Sequence, residues 1–169
     1  MGPLTTEALA ARPEMKYLPN QMTDQWIKSR NGFLHDIADV SMEKRQRFEA
    51  VRAKVIKALD DADAGVLLGA DTPQIMQVPG WATHGELKAL VASGLSPYRA
   101  LRAGTINVAQ FFGTTDRTGT VAAGKEASLV LVDANPLDDV ANMAKISGVM
   151  VRGRWITAAE RDQMLAKLP

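Results

Sequence analysis

The chain has 169 residues, of which 46% are hydrophobic, and this length is enough for about one globular domain with a buried core. Its 20 Lys and Arg residues nearly balance 19 Asp and Glu residues without a long run of one sign, so the composition favours neither nucleic-acid binding nor attachment to an anionic membrane. Cysteine is absent, which excludes disulfides and thiolate chemistry, and the lack of a signal peptide or a roughly 20-residue apolar run leads us to expect a cytoplasmic protein.

The first 60 residues are predicted to be mostly helical. Asn20 to Arg30 has apolar residues at helical spacing, including Trp26 as a packing residue, and Asn31-Gly32 is typical of a helix end. Ser41 can cap a second helix that runs to about Asp60, and four of its apolar residues are expected to face the core, namely Phe48, Val51, Val55 and Leu59. The acids that follow are interpreted as solvated charge in a turn rather than as a cation site: Asp60, Asp61 and Asp63.

The stretch from Gly65 to Pro73 contains the first functional candidate. Three consecutive apolar residues between Gly65 and Gly69 predict a short strand covered on both faces, as in a parallel sheet flanked by helices. Asp71 follows this strand, where α/β barrels and open α/β sheets place their chemistry. An alternative with about equal weight is that Asp71 only opens an Asp-Thr-Pro turn.

The next elements are predicted to be a long loop and three short helices. The loop runs from Thr72 to Thr83 and leads to a possible capping box formed by Thr83 and Glu86. Ser96 followed by a proline predicts the start of another helix, and residues 105–112 a third one.

The remaining residues are predicted to contain strands and a terminal helix. Ser128 to Asp133 has a strand-like composition, and two later apolar runs flank Arg152-Gly153 as a hairpin with a two-residue turn. Thr157 can then cap a last helix from Ala158 to Leu168.

Short segments across this region occur in the order seen in one enzyme family. They are Leu68-Gly69-Ala70-Asp71, His84-Gly85-Glu86-Leu87, Gly94-Leu95-Ser96-Pro97, Ala100-Leu101-Arg102-Ala103, Thr105 with Asn107, Gly119-Thr120-Val121, Gly124-Lys125, Leu129-Val130-Leu131-Val132-Asp133 and Asn135-Pro136-Leu137. In this order they resemble the C-terminal part of the metal-dependent amidohydrolases, particularly the imidazolonepropionase-like and Xaa-Pro dipeptidase-like branch.

The resemblance implies an α/β fold, or α+β for an isolated piece. Residues 1–118 would form the last βα part of a (β/α)₈ barrel, with helices around a strand at 65–70. Residues 119–157 would be strands of a small β-sandwich, and residues 158–169 a C-terminal helix.

The resemblance also implies the chemistry of the site. Asp71 would bind a metal ion, usually zinc, and accept a proton from the hydrolytic water. His84 could contact substrate from the loop, and the alternative, given about three times the weight, is an ordinary surface or helix-start histidine. Complete members carry a His-x-His pair and further histidines on earlier strands, whereas the histidines here are His35 and His84. We therefore expect no activity from this chain alone, and give little weight to a minimal metal site of Asp71, His84, Glu86 and His35.

Two functional hypotheses follow. The first is a C-terminal segment of a hydrolase that acts on C–N bonds of a small amide, dipeptide or cyclic amide. The second is a non-catalytic interaction module derived from an amidohydrolase. In both, the strand at residues 66–68 would expose unpaired edges, so we expect self-association or a partner chain that carries the missing barrel strands, and no nucleic acid or membrane partner.

Overall fold

The computed structural model describes residues 5–168. Its helices are α1 (Thr6–Ala10), α2 (Asn20–Asp36), α3 (Met42–Asp61), α4 (Trp81–Ala92), α5 (Pro97–Ala103), α6 (Ile106–Phe111) and α7 (Ala158–Leu165), and its strands are β1 (Leu129–Val132), β2 (Ile146–Val151) and β3 (Arg154–Thr157). Single 3₁₀ turns lie at Pro13–Tyr17 and Val140–Ala144. The expected mixture of a helical first part and a small C-terminal sheet is therefore present.

Residues 1–4 and 169 lie outside the described part of the chain. The first residues of the predicted unit 1–118 and the last residue of the predicted unit 158–169 are among them. Most of the N-terminal stretch considered for a signal peptide is also among them. Over residues 5–168, no helix combines the length and the apolarity needed to cross a membrane.

Three helix starts that the sequence predicts are confirmed by their capping hydrogen bonds. The hydroxyl oxygens of Ser41 and Ser96 each accept a hydrogen bond from the backbone N–H three residues later, at 3.3 and 3.2 Å. Thr157 and Glu160 form a full capping box at the start of α7. Such caps satisfy donors that the first turn of a helix would otherwise leave unpaired.

Other predicted helix boundaries are wrong. Helix α2 continues through Asn31-Gly32 to Asp36, because Gly32 does not take the left-handed conformation that ends a helix. Helix α4 begins at Trp81 after Gly80, whose φ of +83° turns the chain into the helix. Thr83 and Glu86 therefore lie within α4 and form no capping box. Helix α7 ends at Leu165, three residues before the predicted end.

The main hydrophobic core lies where α4, α5 and the second 3₁₀ turn meet. Ala100 and Ala103 are fully buried, which allows α5 to approach its neighbours closely. The other buried members of this core are Leu87, Leu90, Leu95 and Val140. A second cluster forms near the N-terminus from Met15, Trp26, Met76 and Val78, so Trp26 is the packing residue that the sequence indicates.

The three strands form an antiparallel sheet in the order β1-β2-β3. Strands β2 and β3 are joined by Arg152-Gly153, and Val151 pairs with Arg154 across the turn. Both turn residues have positive φ, 49° and 85°, as the tight two-residue hairpin requires. The predicted hairpin and the predicted strand at β1 are confirmed.

The predicted strand at residues 65–70 pairs with no other strand in the described part of the chain. Helices take its backbone bonds instead: the Leu68 N–H donates to the Ala103 carbonyl at 2.9 Å, and the Asn107 side-chain amide donates to the Val66 carbonyl at 2.9 Å. A central parallel strand needs neighbouring strands on both sides, and residues 5–168 provide none.

The sequence predicts that the apolar stripe of α3 faces the core, and this prediction is wrong. The stripe consists of Phe48, Val51, Val55 and Leu59. These side chains are 62, 49, 52 and 46% exposed. Instead, Ile56 on another face of the helix packs against the main core. The amphipathic pattern identifies an apolar face correctly, but the described residues do not cover it.

The acidic cluster at the end of α3 is solvated at Asp61 and Asp63, whose side chains are 62 and 81% exposed, as the sequence indicates, but all three of its carboxylates also form ion pairs. Arg99 on α5 donates to the Asp60 carboxylate at 2.5 Å and to that of Asp63 at 3.0 Å. Asp61 forms an ion pair with Lys57 one turn earlier. The cluster therefore ties the end of α3 to α5.

Candidate functional site

Asp71 presents an exposed carboxylate at the end of the segment that leaves the main core. Its φ of 49° is left-handed, a conformation that aspartate tolerates better than most residues. The Gln74 side-chain amide donates to Asp71 Oδ2 at 2.6 Å, so the carboxylate is held within a short turn. Both sequence interpretations of Asp71 are compatible with this geometry, because the turn leaves Oδ1 available.

The loop that carries Asp71 is anchored on both sides. Before Asp71, Val66 and Leu68 are hydrogen-bonded to the α5–α6 region. After Asp71, Met76 is buried in the second cluster, and the Arg12 guanidinium donates to its carbonyl. Two separate cores thus fix the ends of this loop, which limits the positions open to Asp71.

His84 lies in the first turns of α4, half-buried, and no hydrogen bond or ion pair connects it to Asp71 in the described residues. Its Nδ1 is buried and finds no hydrogen-bond partner among residues 5–168. Burial of the imidazole lowers the pKa of His84, and the positive charge of Lys88 one turn later lowers this pKa further. His84 is therefore neutral at pH 7 and can offer a lone pair or an N–H to a ligand.

The lowered pKa of His84 predicts a pH-dependent stability. The unfolded chain binds more protons than the folded chain near the usual histidine pKa of 6.5, so the free energy of unfolding should decrease as the pH falls through and below this value. His84→Gln should weaken this dependence in urea titrations at several pH values. His35→Gln is the matched control and should leave it in place, because His84 is still present. An equal slope in wild type and His84→Gln would contradict the prediction.

The described residues do not form a metal site by themselves. No group of three or more His, Cys, Asp or Glu side chains in residues 5–168 could hold an ion. The His35 side chain is 90% exposed on α2, and its nearby acid is Asp36 at 3.7 Å. Asp71, His84, Glu86 and His35 therefore do not form a minimal metal site. Asp71 could bind a metal ion only together with ligands from outside the described residues.

Three contacts at the site carry no clear signal in the sequence. They are the Gln74–Asp71 bond, the Arg12–Met76 bond and the bond from Asn107 to Val66. Asn107 belongs to a family-like segment, but its spacing from Val66 does not reveal the contact. The structure also contains an open cleft of about 570 Å³ between α6 and the start of β1, which has no concentration of titratable groups.

Comparison with known proteins gives a consistent family. The Amidohydrolase family matches residues 22–156. Adenine deaminase from Moorella thermoacetica is 36% identical over 110 residues, which are 64% of this chain and 17% of that protein. The structure of a bottromycin amidohydrolase superposes with a TM-score of 0.69 at 21% identity and covers 92% of this chain and 34% of its own; at this identity it shows the fold alone. A putative prolidase from Bifidobacterium longum has a TM-score of 0.57 at 28% identity, with 79% and 35% covered.

The chain thus spans about a sixth of the deaminase and about a third of the two solved structures. The family match nevertheless covers well over half of the chain and includes Asp71, His84, β1, β2 and all of β3 except its last residue. The resemblance that the short segments indicate is confirmed, and the chain belongs to the amidohydrolase family.

Proposed function

We propose that this chain supplies the Asp71 carboxylate and its surrounding loop to the active site of a hydrolase that cleaves a C–N bond in a small amide, dipeptide or cyclic amide. The observation that carries the proposal is an exposed carboxylate at the end of a segment anchored on both sides, within the family-matched residues. Two related proteins of known class, adenine deaminase and a putative prolidase, support the hydrolase class.

Asp71 is proposed to act as a general base. Because Gln74 occupies Oδ2, Oδ1 is the oxygen that accepts a proton from the water attacking the amide carbon. Family members generally use divalent metal ions, and zinc is the ion that the resemblance implies, but the described residues offer too few ligands to hold one. His84, neutral and half-buried, is proposed to contact the substrate.

Two uncovered surfaces support completion of this site by another polypeptide or by further residues of a longer protein. One is the exposed apolar stripe of α3, and the other is the segment at residues 66–68, where Leu67 is 37% exposed. Both suit contact with neighbouring barrel strands, which would also bring the missing histidines.

A split-enzyme experiment tests this proposal. The full chain would be co-expressed with the part of the Bifidobacterium longum prolidase that precedes the segment matched here, and assayed on dipeptides, amides and cyclic amides with added Zn²⁺. We expect hydrolysis by the pair and none by either polypeptide alone. The prolidase's own C-terminal segment serves as the positive control.

Two results would contradict the proposal. Hydrolysis by this chain alone would show that no further histidines are needed. Restoration of activity by the prolidase's own segment, but never by this chain, would instead favour the non-catalytic interaction module.

A further inference from the structure

Arg12 connects the N-terminal segment to the loop that carries Asp71. Its Nη2 donates to the Met76 carbonyl, and its Nε donates to the Leu9 carbonyl at 3.2 Å. The Nε also lies 3.4 Å from a carboxylate oxygen of Glu14, whose side chain is 14% exposed. Because three partners hold one guanidinium, the side chain has little freedom to move away from Met76.

The Met76 carbonyl belongs to a strained turn. Met76 has a φ of +63°, in the left-handed region that methionine rarely adopts. The Gln77 N–H donates to the Gln74 carbonyl at 2.8 Å, which closes residues 74–77 into a tight turn. Such a backbone persists only where surrounding contacts hold it, and the bond from Arg12 is one of these contacts.

The same turn determines the orientation of the Asp71 carboxylate. Gln74, whose carbonyl closes the turn, also donates its side-chain amide to Asp71 Oδ2 at 2.6 Å. A shift of residues 74–77 would therefore move the amide that holds Oδ2, and with it the free Oδ1. Arg12 thus acts on Asp71 in two steps, from the guanidinium to the turn and from the turn to the carboxylate.

Packing of the neighbouring side chains holds the loop independently of Arg12. The Met76 side chain is buried in the second cluster. The Tyr17 ring stacks on Trp81 at the start of α4, with 4.9 Å between the ring centroids and 24° between the ring planes. Loss of the Arg12 side chain should therefore loosen the turn without unfolding the loop.

We propose that Arg12 is a positioning residue for Asp71. It holds the turn at residues 74–77, so that one carboxylate oxygen stays bound to Gln74 and Oδ1 stays free for the attacking water. The proposal rests on the function proposed above, in which Asp71 is the general base. Arginine suits this position because its planar guanidinium donates to two carbonyls in fixed directions, whereas a lysine ammonium is a single donor centre that reproduces the pair of bonds poorly.

Hydrogen exchange of the full chain, followed by NMR, tests the first step. In Arg12→Met, we expect the Gln77 amide, which closes the turn, to exchange about tenfold faster than in the wild type. Exchange within α5 should stay unchanged, and circular dichroism should show the wild-type helix content. Arg12→Lys should give an intermediate exchange rate.

Steady-state kinetics of the complemented hydrolase tests the second step. We expect Arg12→Met to lower kcat about tenfold and to change KM by less than about twofold, because the base is misplaced while the substrate contacts are kept. Arg12→Lys should recover part of the loss. In the Asp71→Asn background, Arg12→Met should lower kcat by less than about twofold further, because the base through which it acts is already absent.

Arg45→Met is the matched control. The Arg45 guanidinium also donates to two backbone carbonyls, those of Ile37 and Val40, but both lie in the connection between α2 and α3. This variant should leave the exchange rate of the Gln77 amide and the kcat of the pair within about twofold of the wild type.

The proposal would be overturned if Arg12→Met left either the exchange rate of the Gln77 amide or kcat unchanged. Equal losses of kcat in the wild-type and Asp71→Asn backgrounds, or in Arg12→Met and Arg45→Met, would overturn it as well. If the wild-type pair hydrolyses no substrate, the proposed function fails, and hydrogen exchange alone decides the role of Arg12. Faster exchange of the Gln77 amide in Arg12→Met would then support Arg12 as the residue that holds the Asp71 loop, and an unchanged rate would refute it.

Discussion

Replacing Asp71 by Asn in the complemented hydrolase is expected to lower kcat/KM about 10²- to 10⁴-fold, the usual range for loss of a positioned general base. Asparagine has nearly the same shape, tolerates the left-handed backbone at this position and can still accept a hydrogen bond from Gln74. The loss would therefore come from the missing proton acceptor rather than from a change in the loop. Steady-state kinetics on the hydrolysed dipeptide measures it.

Asp116→Asn is the matched control, because Asp116 is also exposed but lies after α6, away from the Asp71 loop. We expect Asp116→Asn to change kcat/KM by less than about twofold, as surface substitutions away from a site usually do. If Asp71→Asn kept wild-type activity in the pair, Asp71 would not be the base, and the Asp-Thr-Pro turn would be its main role.

Local signals in the sequence predicted the parts of the fold that depend on neighbouring residues. Ser41, Ser96 and Thr157 cap helices because a side-chain oxygen reaches a donor three residues away, whatever the rest of the chain does. The Arg152-Gly153 hairpin is likewise set by its own backbone conformation. Such features can be derived from short segments alone.

Features that depend on distant contacts were predicted less well. The apolar stripe of α3 was assigned to a core, yet amphipathic spacing does not say whether a partner for that face is present. Residues 66–68 have the composition of a buried strand, but strand pairing needs neighbours that the described residues lack. The start signal at Thr83 was overridden by Gly80, whose positive φ caps α4 three residues earlier.

The candidate site was predicted only in part for the same reason. Asp71 stands out because an acid follows an apolar run, and the family-like segments add to this signal. Its contact with Gln74 depends on the shape of a turn, and the anchor at Met76 depends on Arg12, 64 residues earlier in the chain. Long-range contacts of this kind leave no spacing pattern to read.

Gly119→Ala is expected to destabilise the chain by about 2–4 kcal/mol, which combines backbone strain and overpacking. Gly119 has a φ of +89°, and a Cβ added there would lie 2.7 Å from Ala109 Cβ and 3.1 Å from the Ile106 Cα. Both neighbours belong to α6, and a helix backbone cannot move aside as a flexible side chain can. Urea denaturation would measure the change as a lower midpoint with an unchanged m-value.

Gly124→Ala separates the backbone strain from the overpacking. Gly124 has a similar φ of +84°, but no atom lies within 4 Å of a Cβ added there. It should cost about 1–2 kcal/mol, the strain alone. The difference between the two variants then reports the contact with α6, which joins the helical part of the chain to the segment leading into the sheet. Equal losses at both positions would mean that strain accounts for the whole effect and that α6 and Gly119 are not in close contact.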